Sequence, residues 1–149
     1  MKFLTLAMAA VLAVCVPAAS APAAEAKKVF HLGDKPADLP FSPAVLVDDT
    51  LFISGLLATN AEAGRFEGGT MTQQAERVLA NMEILLRKAG MGLPDVVQTT
   101  VYITDFAEFQ ELNAVFRKVF PQKPPARATV QVAKLAMDAK IEISAIAVK

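Results

Sequence analysis

The chain has 149 residues, with 15 basic and 15 acidic side chains, one histidine, one cysteine and a 54% hydrophobic content. Balanced charge without a basic stripe gives no footing for binding nucleic acid or an anionic membrane. A lone histidine, His31, excludes a Ser-His-Asp triad and the common hydrolytic zinc sites, so neither a metal nor a cofactor is expected.

In chain order, Met1-Lys2 carries one positive charge, Phe3 to Val16 is an almost unbroken apolar run, and Pro17 to Ala26 turns to small residues and proline. This is the order of a cleavable secretory signal peptide. The run is shorter than the roughly 20 residues that cross a bilayer, so no membrane contact is expected once it is removed. Leu12-Ala13-Val14-Cys15 is a poor lipoprotein site, because Val14 is bulky where a small residue belongs. Residues 1–24 are therefore expected to leave, with a cut after Ala24 or after Ala26, and 25–149 to form one periplasmic or secreted domain. Cleavage removes Cys15, the only cysteine, so packing and not disulfides must supply the stability. The apolar content is high for a domain of about 125 residues, which points to a subunit interface.

Residues 27–40 form an arm with a short strand at Val29 to Leu32. Ala44 to Val47 and Leu51 to Ser54 are β-prone runs separated by Asp48-Asp49-Thr50, the signature of a hairpin. Thr59 to Gly69, with three glycines, is a loop. From Thr72 to Ala89 the apolar residues Ala75, Val78, Leu79, Met82, Leu85 and Leu86 recur on one helical face. Thr70 and Gln73 offer a capping-box start, and Gly90, Gly92 and Pro94 a stop. Val96 to Ile103 is a strand. Asp105 and Glu108 open a second helix, whose apolar face is read as Phe106, Phe109, Leu112, Phe116, Val119 and Phe120. Strands at Arg127 to Ala133 and Lys140 to Val148 complete the order ββαβαββ, which implies an α+β layer with both helices on one face of one sheet.

The last two strands carry polar stripes. Arg127, Thr129 and Gln131 share one face of the first, and Glu142 and Ser144 one face of the second. If the short loop makes them antiparallel neighbours, Thr129 lies near Glu142. Such a stripe is otherwise the solvated side of an edge hairpin. Asn113, among Leu112, Phe109 and Phe116, is expected either to tie its helix to a backbone or to face a site. Lys134 and Lys140 read as surface residues.

Pro125-Ala126-Arg127-Ala128-Thr129-Val130-Gln131-Val132, followed by Lys140-Ile141-Glu142-Ile143-Ser144-Ala145-Ile146-Ala147-Val148, closely resembles the C-terminal signature of the RidA (YjgF/UK114) family of enamine/imine deaminases. Upstream, Pro40-Phe41-Ser42-Pro43-Ala44-Val45, Phe52-Ile53-Ser54-Gly55 and Leu112-Asn113-Ala114 are similar to further stretches of that family in the same order.

The resemblance implies a chorismate-mutase-like fold and a homotrimer with active sites in clefts between subunits. It assigns catalysis to Arg127, which would grip a substrate carboxylate, to Glu142, which would position or activate water, and to Thr129, which stands where many members have cysteine. Phe41, Ser54, Gly55 and Asn113 take substrate-binding positions. Phe41 replaces the usual tyrosine, Leu56 a glutamine, and Ser144 the second glutamate of a Glu-Ile-Glu run. The implied reaction hydrolyses a 2-imino acid to a 2-keto acid and ammonia without metal or covalent nucleophile. The alternative is a trimer that binds small carboxylates without turnover. An RNA-directed role, a label attached to relatives, is disfavoured by the neutral charge and the scarcity of stacking side chains other than phenylalanine.

The leader reading is checked by the intact mass of protein from a periplasmic extract, expected to begin within a few residues of Glu25. A species that retains Phe3 to Val16 would refute it.

Overall fold

Period-two apolar patterns at Leu51/Ile53, Thr99/Val101/Ile103 and Ile141/Ile143/Ala145/Ala147 require one buried sheet face. The computed structural model describes residues 26–33 and 39–149; the expected signal segment, 1–24, lies outside the described residues. Six strands, β1 (Lys28–Phe30), β2 (Ala44–Val47), β3 (Thr50–Leu56), β4 (Val96–Ile103), β5 (Ala126–Gln131) and β6 (Ile141–Val148), form one sheet in the order β1-β2-β3-β6-β4-β5. Only β4 and β5 pair in parallel. They are joined through α2 (Phe109–Val119), as a parallel connection requires a crossover. With α1 (Met71–Lys88) packed on the same side, this is the expected α+β layer on a mixed sheet.

Helix α1 forms for the reasons its sequence suggests. The Thr70 side chain accepts from the Gln73 backbone N–H while the Gln73 side chain accepts from Thr70 N–H, satisfying two donors that a helix start leaves free. Its apolar face, from Ala75 to Leu86, is closed from solvent against β3 and β6. Each buried leucine or methionine there contributes about 1.5–3 kcal/mol. At its end, Gly90 takes a φ of +71°, which glycine adopts without a Cβ penalty. The Lys88 ammonium, in the last turn, donates to three consecutive carbonyls, His31 O at 2.8 Å, Leu32 O at 3.1 Å and Gly33 O at 3.0 Å. This ties the segment after the edge strand β1 to the helix layer.

Two expectations are corrected. The strands β5 and β6 are not neighbours: β4 lies between them, pairing Thr99 with Arg127 on one side and Tyr102 with Glu142 on the other. The sequence between β5 and β6 resembles a hairpin loop, but β4 already occupies the position beside β6 with an antiparallel ladder. The second correction concerns Asp105, whose carboxylate accepts from Ala107 N–H at 2.8 Å and starts a 3-10 turn, Phe106–Glu108, before α2 begins at Phe109. The tighter turn rotates Phe106 out of the helical face expected for it, and the ring is 44% exposed.

Asn81, fully buried on α1, donates to Leu57 O at 3.3 Å and Thr59 O at 2.7 Å. It thereby fixes the chain leaving β3. Asn81→Ala is expected to destabilise the fold by about 1–3 kcal/mol, because a fully buried amide is removed and Thr59 O loses its 2.7 Å side-chain donor, whereas Leu57 O keeps the Thr59 N–H. Urea unfolding at fixed protein concentration measures this, and an unchanged midpoint would refute it.

Candidate active site

Two groups of the expected site residues assemble, on opposite faces of the sheet. The first lies between the sheet and α2. Arg127 pairs across the ladder with buried Thr99, so its side chain rises on the helix face. Its guanidinium stands 4.6 Å from the ring centroid of Phe116 and 5.6 Å from that of Phe109. Asn113 Oδ1 accepts from Nη2 at 2.6 Å. Phe109, Asn113 and Phe116 are spaced by four and three residues, so one face of α2 supplies all three contacts. Burial pushes the Arg127 pKa below its ordinary value, yet a guanidinium stays charged. Among the described residues no carboxylate pairs with it. Thr129, two residues along the same face, has its hydroxyl buried without a protein partner, as has Thr99.

The second group lies on the face without helices. Ser54 and Gly55 together oppose Ser144, because the pairing shifts from Ile53↔Ala145 to Leu56↔Ile143. This is a β-bulge, a device that re-aims side chains and bends a strand. Ser54 Oγ donates to Ser42 O at 2.8 Å, and Ser54 N–H donates to Pro43 O at 3.0 Å. The bulge therefore anchors the segment that carries Phe41, whose ring is largely exposed. Glu142 pairs with Tyr102, and its flanking residues Ile141 and Ile143 are fully buried in the core, so its carboxylate emerges on this uncovered face. It lies over Gly55: a Cβ added there would overlap Glu142 Oε1, with the carboxyl carbon 2.7 Å away. Leu56, at the glutamine position, is turned into the core.

The structure thus joins Arg127, Asn113 and Thr129, and separately joins Ser54, Gly55, Glu142 and the Phe41 segment. It does not bring Thr129 beside Glu142 as the hairpin expectation required, because β4 intervenes and the two side chains leave opposite faces. The aromatic walls of Arg127 were not singled out in the sequence, although the α2 periodicity already placed Phe109 and Phe116 on the side of Asn113. Lys140 is not a free surface amine: Glu108 holds it at 2.7 Å and, by hydrogen bond and charge, raises its pKa.

The family model described as Endoribonuclease L-PSP matches residues 32–149. The chain belongs to this family. It is 40% identical over 122 residues, 81% of this chain, to Reactive Intermediate Deaminase A, chloroplastic, of Arabidopsis thaliana, of which it spans 65%. To the 2-iminobutanoate/2-iminopropanoate deaminase of Homo sapiens it is 38% identical, covering 74% of this chain and 80% of the human one. The solved structure of RidA from the Antarctic bacterium Psychrobacter sp. PAMC 21119 superposes with a TM-score of 0.75 at 36% identity, over 81% of this chain and 98% of that one. The RidA-family resemblance of the C-terminal strands and the fold it implied are both met.

Within this RidA-family chain, the overlap at Gly55 yields a direct test. Gly55→Ala is expected to cost about 1–3 kcal/mol of stability by overpacking. Gly55→Ala combined with Glu142→Ala should recover at least about 0.5 kcal/mol through coupling of the neighbours. Additive losses in this double-mutant cycle would show that the two positions do not compete for the same space.

Proposed function

We propose that the protein is an imine deaminase that hydrolyses 2-imino acids to 2-keto acids and ammonia, in sites built from two copies of the chain. Arg127 carries this reading: a half-buried cation with no carboxylate partner among the described residues is a ready donor to a substrate carboxylate. The names of the Arabidopsis and human relatives point the same way.

Its chemistry is spare. With the carboxylate on the guanidinium fork, the electrophilic C=N carbon is held in place. Glu142 takes a proton from water as the oxygen bonds to that carbon. That proton passes to nitrogen to give a carbinolamine; the proton of its hydroxyl then moves to the amino nitrogen as the C–N bond breaks, so the water oxygen becomes the keto oxygen and nitrogen leaves as ammonia. Thr129 offers a hydroxyl to hold water beside Arg127.

Because Arg127 and Glu142 leave opposite faces of one sheet, the reading assigns each site an Arg127 from one copy and a Glu142 from another. The uncovered face supplies surface for such contact, since Val29, Phe52, Val130 and Val148 are exposed there. A cyclic homotrimer, reached after export and signal removal, is the proposed assembly. The RNA-directed activity in the family description draws no support from a chain with 15 basic and 15 acidic residues.

Purified mature protein assayed on imino acids made in situ by an amino-acid oxidase, following keto acid and ammonia, tests the reaction. Arg127→Ala is expected to lower kcat/KM more than tenfold, from a loss of about 2–5 kcal/mol, with little rescue by lysine. Glu142→Gln should lower kcat and spare pyruvate binding, and Thr129→Ala should be milder. Unchanged turnover and carboxylate binding in Arg127→Ala would refute the assignment, whereas lost binding in a protein that never turns over an imine would favour the carboxylate-binding alternative.

The shared site has its own test. Arg127→Ala and Glu142→Gln chains, unfolded and reassembled together, should regain roughly a quarter of wild-type activity in a cyclic trimer. Failure of the mixture to exceed the separate variants, in assemblies of trimer mass, would place both residues in one subunit's site.

A further inference from the structure

Phe106 is an exposed aromatic ring that the fold takes trouble to hold still. Its own N–H donates to Gln131 Oε1 at 3.1 Å, and the adjoining turn is capped by Asp105 and closed by the Glu108–Lys140 ion pair. The ring rests on Phe109, centroid to centroid 5.3 Å at a tilt of 48°. Phe109 in turn faces the Arg127 guanidinium. Gln131 lies on the same face of β5 as Arg127 and Thr129. One strand therefore presents both the cation and the side chain that holds the backbone of Phe106.

A continuous apolar path thus leads from the cation to the solvent-exposed ring, by way of Phe109. No core contact requires Phe106, since 44% of it remains exposed. An aromatic so placed offers its surface to whatever projects outward from a group bound at Arg127.

Resting on the deaminase reading, we propose that Phe106 is a specificity-determining residue that selects 2-imino acids with large apolar side chains, aromatic or branched aliphatic, over the methyl-bearing 2-iminopropanoate. With the carboxylate on Arg127, a benzyl or isobutyl group extends along Phe109 onto Phe106. A methyl group stops short of the outer ring.

The experiment compares wild type, Phe106→Ala and Phe106→Leu as intact assemblies, with mass checked by light scattering. Imines are generated from phenylalanine, leucine and alanine, and binding of phenylpyruvate and pyruvate is measured by calorimetry. Wild type should favour the phenylalanine-derived imine over the alanine-derived one by about tenfold or more, the scale of an apolar side-chain contact. Phe106→Ala should abolish most of that preference while holding the alanine-derived kcat/KM within about twofold, and Phe106→Leu should keep part of it. The dissociation constants should show the same loss of preference for phenylpyruvate.

Equal preference in wild type and Phe106→Ala, or a uniform loss for all ligands, overturns the proposal. So does a change of assembly mass in both variants, which would make the ring an interface residue. The two readings fail separately: a protein that discriminates phenylpyruvate from pyruvate through Phe106 yet hydrolyses no imine refutes the deaminase and retains the specificity residue. A protein that hydrolyses every imine with Phe106-independent ratios does the reverse.

Discussion

A strand sends successive side chains to opposite faces, and a parallel or antiparallel partner keeps paired residues on the same face. That constraint governs the arrangement of this molecule's polar groups. With β4 interposed, Thr99 carries Arg127 to the helix side, whereas Tyr102 carries Glu142 to the other. No side-chain rotation brings the two carboxyl and guanidinium groups together through a packed sheet. Under the proposed deaminase reading, a reaction that needs both would draw them from different copies, and assembly would then be a chemical requirement.

Each group is prepared by its own local device. On the helix side, α2 supplies two rings and an amide at successive turns, which together restrain a long and otherwise mobile side chain. Under the proposed carboxylate-binding role, restraining the fork beforehand would lower the ordering cost of binding. On the other side, the bulge at Ser54–Gly55 makes room for the Glu142 carboxylate and fastens the preceding segment through Ser42 and Pro43. Buried hydroxyls of Thr99 and Thr129 flank the cation without protein partners, so the neighbourhood of Arg127 retains unused polar capacity.

Much of this was legible in the sequence because it rests on short-range pattern. The α1 boundaries follow from Thr70, Gln73 and Gly90, and the polar stripe of β5 follows from alternation alone. Sheet order did not follow. A short connection between two β-prone runs reads as a hairpin, and only the ladder that β4 makes with both β5 and β6 excludes it. The 3-10 turn at Phe106–Glu108 was likewise hidden, since a periodicity of 3.6 extended backward from α2 assigns Phe106 to the core. The bulge was signalled only by Gly55 inside a strand, a residue whose role depends on Glu142, distant in the chain and adjacent in space.

The Lys88 ammonium has consequences for reactivity. Its three donor positions match the three carbonyls it meets, His31 O, Leu32 O and Gly33 O, so the nitrogen must leave these contacts before it can meet an electrophile. Both Lys88 and Lys123 are exposed, so amine-acylating reagents should reach both but react more slowly at Lys88 while the segment after β1 stays docked. The planar fork of an arginine would not reproduce this convergent geometry. Acylation of this one amine thus becomes a chemical clock for the lifting of the sheet's first edge, readable without any measurement of the sheet itself.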